Sequence, residues 1–209
     1  MLMPAFRDWP EEANVIARIL AGYGELELSL ARVVGYALSP TSGETYLTGI
    51  RKGLRLLFHR RGELARLELA NLFLAEELQA SGLGEAYAET MGAIEICRQI
   101  RNMFAHCAFA TLKHGQPTDG LFFVSLENAV NKKGDKIELL WQQAFYPRLQ
   151  EIELYFEYAA ACLQHLNSEM WTQRGRQSPL PNPRPSKMQP PPKHVAASPN
   201  EVKDLPPKI

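Results

Sequence analysis

The chain has 209 residues, of which 45% are hydrophobic, and it carries 23 basic and 23 acidic side chains. Residues 1–172 hold 16 Lys/Arg against 21 Asp/Glu and residues 173–209 hold 7 against 2, so the body is about −5 and the tail about +5. Length and apolar content suffice for one domain with its own core, whereas the acidic body excludes a broad cationic nucleic-acid face, because backbone binding relies on many cations acting together.

Two further classes fall away. No stretch reaches about 18 uninterrupted apolar residues, so no membrane span is expected, and Met1-Leu2-Met3-Pro4-Ala5-Phe6-Arg7-Asp8 lacks the basic patch and apolar run of a secretory leader. Cys97, Cys107 and Cys162 are odd in number and form no Cys-x-x-Cys pair. A disulfide framework or structural zinc site is therefore not expected, and a reducing cytoplasmic setting is.

Pro10-Glu11-Glu12 opens the first predicted helix, with proline tolerated at a helix start and two acids near the positive dipole end. Val15, Ile19, Leu26, Leu30, Val33 and Ala37 extend one apolar stripe to about Leu38. A second helix is predicted from Glu44 to about His59, with Leu47, Ile50, Leu54, Leu57 and Phe58 inward. A third runs from Glu63 to Ala80, with Leu64, Leu67, Leu74 and Leu78 on one stripe and Leu69, Leu72 and Phe73 beside it. Its wide apolar surface predicts a central or interface position, and Asn71 reads as a hydrogen-bonded polar group in the core.

Ser81-Gly82-Leu83-Gly84 breaks the chain before a fourth helix, Glu85 to about Cys107. Then the period changes. Phe109–Lys113, Leu121–Leu126 and Lys136–Trp141 are short β-prone runs separated by turn-rich segments, which predicts a small antiparallel insert over about 109–141. The last helix repeats every seven residues through Phe145, Leu149, Ile152, Phe156, Ala159, Leu163, Leu166 and Met170, a pattern suited to long antiparallel packing. The expected fold is mainly α: an antiparallel helical bundle over residues 1–172 with a β insert. Residues 173–209 hold ten of the fifteen prolines; a disordered, basic tail of polyproline II character follows.

The segment that carries chemistry is Arg98-Gln99-Ile100-Arg101-Asn102-Met103-Phe104-Ala105-His106-Cys107. The string Arg-Asn-x-x-Ala-His arises by chance in on the order of one chain in a thousand. Imidazole exchanges a proton near neutral pH, and a guanidinium fork fits two phosphate oxygens while staying charged. Those are the groups that metal-independent RNA cleavage needs, a base for the ribose 2′-hydroxyl and a cation for the phosphorane. Asn102 sits one turn before His106, placed to orient the ring or the phosphate, and Arg98 one turn further back.

The string resembles the signature of the HEPN superfamily (higher eukaryotes and prokaryotes nucleotide-binding), all-helical proteins in which Arg-polar-x-x-x-His marks many metal-independent ribonucleases. The resemblance implies a homodimer whose motif helices build one cleft, with His106 as general acid/base, Arg101 as transition-state cation and Asn102 as positioning residue. It also implies RNA or a nucleotide as ligand, and a neutralising antitoxin or regulatory protein as a further partner. The rival is a regulatory HEPN module that dimerises and binds a nucleotide without cleavage. On an ideal helix Arg101 and His106 lie about 140° apart, so either the helix loosens near His106 or two copies share the site.

A second basic group, Lys52, Arg55 and His59, flanks the inward stripe of the second helix and is a candidate RNA-phosphate contact together with Arg98. A solvated face balancing acids of the next helix is the alternative. His59, His106, His114 and His165 show no metal-ligand spacing, so neither metal nor cofactor is expected.

Overall fold

The computed structural model describes residues 4–38, 46–111, 120–126, 141–173 and 182–192. Among the described residues, six helices and a three-stranded antiparallel sheet make it mainly α, in the order α1 (Pro4–Asp8), α2 (Pro10–Ala37), α3 (Tyr46–Phe58), α4 (Glu63–Ala80), α5 (Gly84–Ala105), β1 (Cys107–Thr111), β2 (Leu121–Ser125), β3 (Gln142–Gln143) and α6 (Tyr146–Gln173). The chain divides into two compact units: Met1–Ala21 with Gln99–Leu154 and Pro190–Ile209, and Gly22–Arg98 with Tyr155–Gln189.

In the first unit, the start of α2 buries Val15, Ile16 and Ile19, and the start of α6 buries Leu149 and Ile152. Arg18 and Glu153 close an ion pair on its surface. The sheet has order β1-β2-β3, and Phe109 stands opposite Phe123 in the β1–β2 register. Their rings lie 6.4 Å apart, while Phe123 also meets Phe104 of α5 at 5.6 Å and Phe109 meets Phe6 of α1 at 4.9 Å. These tilted contacts add to the burial that fixes the sheet.

The third strand departs from expectation. Trp141 lies outside any strand and is exposed, and pairing falls on Gln142 and Gln143, opposite Phe123 and Phe122. Position beside β2 decides this pairing, since strand propensity follows context and glutamine has little of its own; residues 136–140 lie outside the described residues.

In the second unit, α2 and α3 cross where their backbones nearly touch. A Cβ at Gly53 would sit 1.8 Å from the Ala31 carbonyl oxygen, and one at Gly35 would sit 2.0 Å from that of Gly49. The helices approach this closely only because those positions lack side chains. On α4, Leu67, Ala70, Leu74 and Leu78 form the buried stripe. Complete burial of such a side chain contributes about 1.5–3 kcal/mol. Arg66 of α4 donates from Nε to Glu27 Oε1 of α2 at 2.6 Å and lies 5.0 Å over the Phe58 ring.

Several predicted inward positions are not inward. Leu64, Phe58 and Leu72 are 50%, 48% and 76% exposed. A helix stripe is about 100° wide, and Leu67, Ala70, Leu74 and Leu78 fill it. Asn71 is exposed as well, accepting a 3.1 Å hydrogen bond from Tyr87 at the rim instead of sitting in the core. Leu47 lies outside the residues whose side chains are described.

The break before α5 follows from capping. Gly82 has φ of 78°, and the N–H groups of Gly82 and Leu83 donate to the carbonyls of Gln79 at 3.2 Å and Leu78 at 2.8 Å. That pair of bonds is the Schellman closure, which needs a residue able to enter the left-handed region. The heptad of α6 is buried from Leu149 through Ile152, Phe156, Ala159, Leu163, Leu166 and Met170.

Candidate functional site

The motif ends α5 in the first unit. Phe104, 1% exposed, anchors the helix end against Phe123 of β2. The helix stops at Ala105 and β1 begins at Cys107, leaving His106 as the single joint. Its N–H still completes the helical ladder to the Asn102 carbonyl at 3.1 Å, while its own carbonyl accepts from Leu126 at 3.3 Å, continuing the β1–β2 pairing. The backbone of His106 is thus held by helix on one side and sheet on the other, with the residue itself exposed. Few joints fix an exposed residue so well, because both polar backbone groups are satisfied by regular elements.

Asn102 links the two other motif residues. Its side-chain Oδ1 accepts from Arg101 Nη1 at 2.9 Å, and its backbone carbonyl accepts from His106. Arg101 and Asn102 are half-buried. The helix thus ends at Ala105, just before His106, whose N–H still makes the last helical bond. Cys107 donates its thiol to the Met103 carbonyl, one turn back.

The remaining candidates lie elsewhere. Arg98 belongs to the second unit and closes both arms on Glu95, Nε to Oε2 at 2.8 Å and Nη2 to Oε1 at 2.7 Å. That bond, with Tyr23 and Glu63 nearby, raises its pKa further. Such a bidentate closure occupies the fork a phosphate would need. Lys52 and Arg55 are exposed on α3, and His59, in the turn after it, is exposed too; at helical spacing they share one face. These too belong to the second unit. In the first unit Arg101 and Asn102 are joined side chain to side chain and His106 is joined to Asn102 through the backbone, while Arg98, Lys52, Arg55 and His59 fall in the second unit.

A polar network not expected from the sequence occupies the second unit. Glu89 of α5 accepts from Tyr158 of α6 and from Arg184 Nη2 at 2.6 Å, and Arg184 also reaches Glu85 at 3.1 Å. Arg184 first, and Tyr158 second, hold the Glu89 carboxyl below its ordinary range. Burial pushes the Tyr158 phenol up, with the Glu89 bond adding to it. The sequence signal was present in Glu85 and Glu89, four apart on a helix, and in the arginine of Pro183-Arg184-Pro185. Composition alone assigns that arginine to a disordered tail. Tyr155 and Tyr158 are both buried.

Burial pushes the thiols of Cys97 and Cys162 upward, which disfavours the reactive thiolate. No disulfide occurs among the described residues. Among them, too, no group of three or more His, Cys, Asp or Glu side chains is arranged to hold a metal ion, and no helix is long and apolar enough to cross a membrane. His114 lies outside the described residues. Compared with protein-family models, curated proteins and solved structures, the chain matches none of them.

Proposed function

We propose that the protein is a metal-independent endoribonuclease of HEPN type, with Arg101, Asn102 and His106 of two copies lining one cleft. The observation that carries this reading is the joint at His106: an exposed histidine whose backbone is pinned by both α5 and the sheet, one hydrogen bond from the residue that holds Arg101. Preorganisation of this kind is what general acid/base catalysis requires, since a displaced proton acceptor loses most of its effect.

In the proposed reaction His106 takes the proton of a ribose 2′-hydroxyl. The 2′-oxygen attacks the adjacent phosphorus, Arg101 stabilises the phosphorane, and as the P–O5′ bond breaks the 5′-oxygen departs with a proton returned by the His106 imidazolium. The products are a 2′,3′-cyclic phosphate and a 5′-hydroxyl. Asn102 keeps the guanidinium in place through its amide. A cytoplasmic toxin or defence effector, held in check by an antitoxin or regulatory protein, fits such an activity.

The test is incubation of the purified full-length protein with total RNA in excess chelator. Cleavage leaving cyclic phosphate ends, lost in His106→Ala and in Arg101→Ala, supports the enzyme. RNA that stays intact with a wild-type dimer supports the second reading, a regulatory HEPN module binding a nucleotide without cleavage. The bidentate closure of Arg98 on Glu95 and the net acidic body favour that alternative, because both reduce the cationic surface offered to RNA.

A further inference from the structure

Residues 182–189 belong to the second unit and form neither helix nor strand. Asn182, Pro185 and Met188 are half-buried, and every residue between them is exposed. That three-residue period is the signature of a polyproline II strand lying with one edge on a surface, since this conformation makes one turn in about three residues.

Two side-chain anchors set the register of the strand. His165 of α6 lies with Nδ1 2.8 Å from the Asn182 carbonyl oxygen, and because a carbonyl only accepts, the imidazole donates. Two residues on, Arg184 reaches Glu89, whose side chain is 14% exposed and also takes the Tyr158 hydroxyl. One anchor reads a backbone position and the other reads a guanidinium, so direction and register are both specified. Pro183 and Pro185 flank the arginine, and neither has an N–H to satisfy.

We propose that the face formed by Glu85 and Glu89 of α5 with Tyr158 and His165 of α6 is a recognition groove for arginine-bearing proline-rich strands, with residues 182–189 as its resident ligand and a strand of the same chemistry supplied in trans as its competitor. Such strands pay little ordering entropy on docking, which is why short ones serve as ligands. The acidic anchor selects a cation at the central position and rejects an acid there. The groove is independent of the motif at the end of α5, so its test stands apart from that of the ribonuclease.

The experiment uses the full-length chain and a fluorescent peptide of residues 182–192, followed by anisotropy. Arg184→Glu in the chain displaces the resident strand. This variant is expected to bind the peptide saturably and at least about tenfold more tightly than wild type, the scale set by one charge-assisted hydrogen bond. A peptide carrying Arg184→Ala, or a chain combining Arg184→Glu with Glu89→Gln, is expected to lose at least about tenfold of that binding. Equal binding by wild type and Arg184→Glu, absence of saturable binding to the variant, or indifference to the arginine of the peptide would each overturn the proposal. A second measurement needs no variant chain: unlabelled peptide bearing Lys187→Gln should accelerate tryptic cleavage after Lys187 of the wild-type protein, and an unchanged rate counts against the groove.

Discussion

At its C-terminal end α5 carries Arg101 and Asn102, joined side chain to side chain, and leads into an exposed His106. Toward its N-terminal end the same helix presents Glu85 and Glu89, and there the chain brings its own Arg184 back to cover the more buried acid. The two ends show how one helix uses polar groups in opposite ways. Where a charged group is largely withdrawn from water, as Glu89 is, it is stable only with a partner, so the chain supplies one. At the end of the helix the backbone partners are supplied by helix and sheet, which leaves the imidazole at the surface.

The largest effect expected from breaking this contrast is chemical. His106→Ala should lower chelator-resistant RNA cleavage by roughly 10²- to 10⁴-fold, the usual contribution of a positioned acid or base. Initial rates on a defined RNA would measure it, and a rate equal to wild type would assign the exposed imidazole no catalytic part. Next comes the anchor beneath it. Phe104→Ala should cost about 3–5 kcal/mol of stability by denaturant titration, as expected when a buried aromatic ring is removed. A loss under about 1 kcal/mol would mean that the contact with Phe123 does not hold the end of α5 to the sheet.

At the opposite end, pH sharpens the comparison. Glu89 has a folded value below its ordinary one of 4.5, so its contribution is present above that ordinary value and is lost as pH falls through the lowered one. The groups facing it are Arg184, Tyr158, Lys187, Cys162 and Glu85. Cys162 and Tyr158 stay protonated and Arg184 stays charged across this window, each being shifted upward, and Glu85 is almost fully exposed. The stability difference between wild type and Glu89→Gln, measured by denaturant titration, should therefore be largest at neutral pH and shrink as pH falls through the lowered Glu89 value, and a difference that stays constant with pH would count against the pairing. The smallest effect belongs to Arg98. Because its fork is closed on Glu95, Arg98→Ala should leave the cleavage rate within about threefold and reduce stability by about 1 kcal/mol or less. A loss as large as that of His106→Ala would place Arg98 in the proposed ribonuclease site after all.

Much of the architecture was legible from periodicity. The α4 limits and the buried heptad of α6 follow the residues, since those stripes are long and regular. Short elements were less legible. The end of α5 fell at Ala105 instead of Cys107, because the β-prone run after it starts pairing with β2 as soon as register allows. The pairing of Gln142 and Gln143 was not expected because these residues carry no β signal of their own, while most of the expected run, residues 136–140, lies outside the described residues. Leu64 was read as part of the stripe and Leu72 as beside it, yet both are exposed, because a helix stripe has room for only part of an apolar circumference. The site was half legible. Residue types and spacing point to Arg101, Asn102 and His106, and the Glu95 that closes the fork of Arg98 is itself only three residues away on α5.

Local order in this protein is written in the chain: the helix periods, the glycine at the Schellman turn, the arginine, asparagine and histidine of the motif. These depend on interactions between residues a few positions apart, which the sequence displays directly. Pairings over long separations were decided only by the fold, as when Arg184 meets Glu89, the His106 carbonyl meets the strand of Leu126, and Gly53 comes against Ala31. Nothing in the spacing of such residues foretells contact, because the groups that satisfy a buried charge or an open carbonyl are chosen by which surfaces the packed core brings within reach.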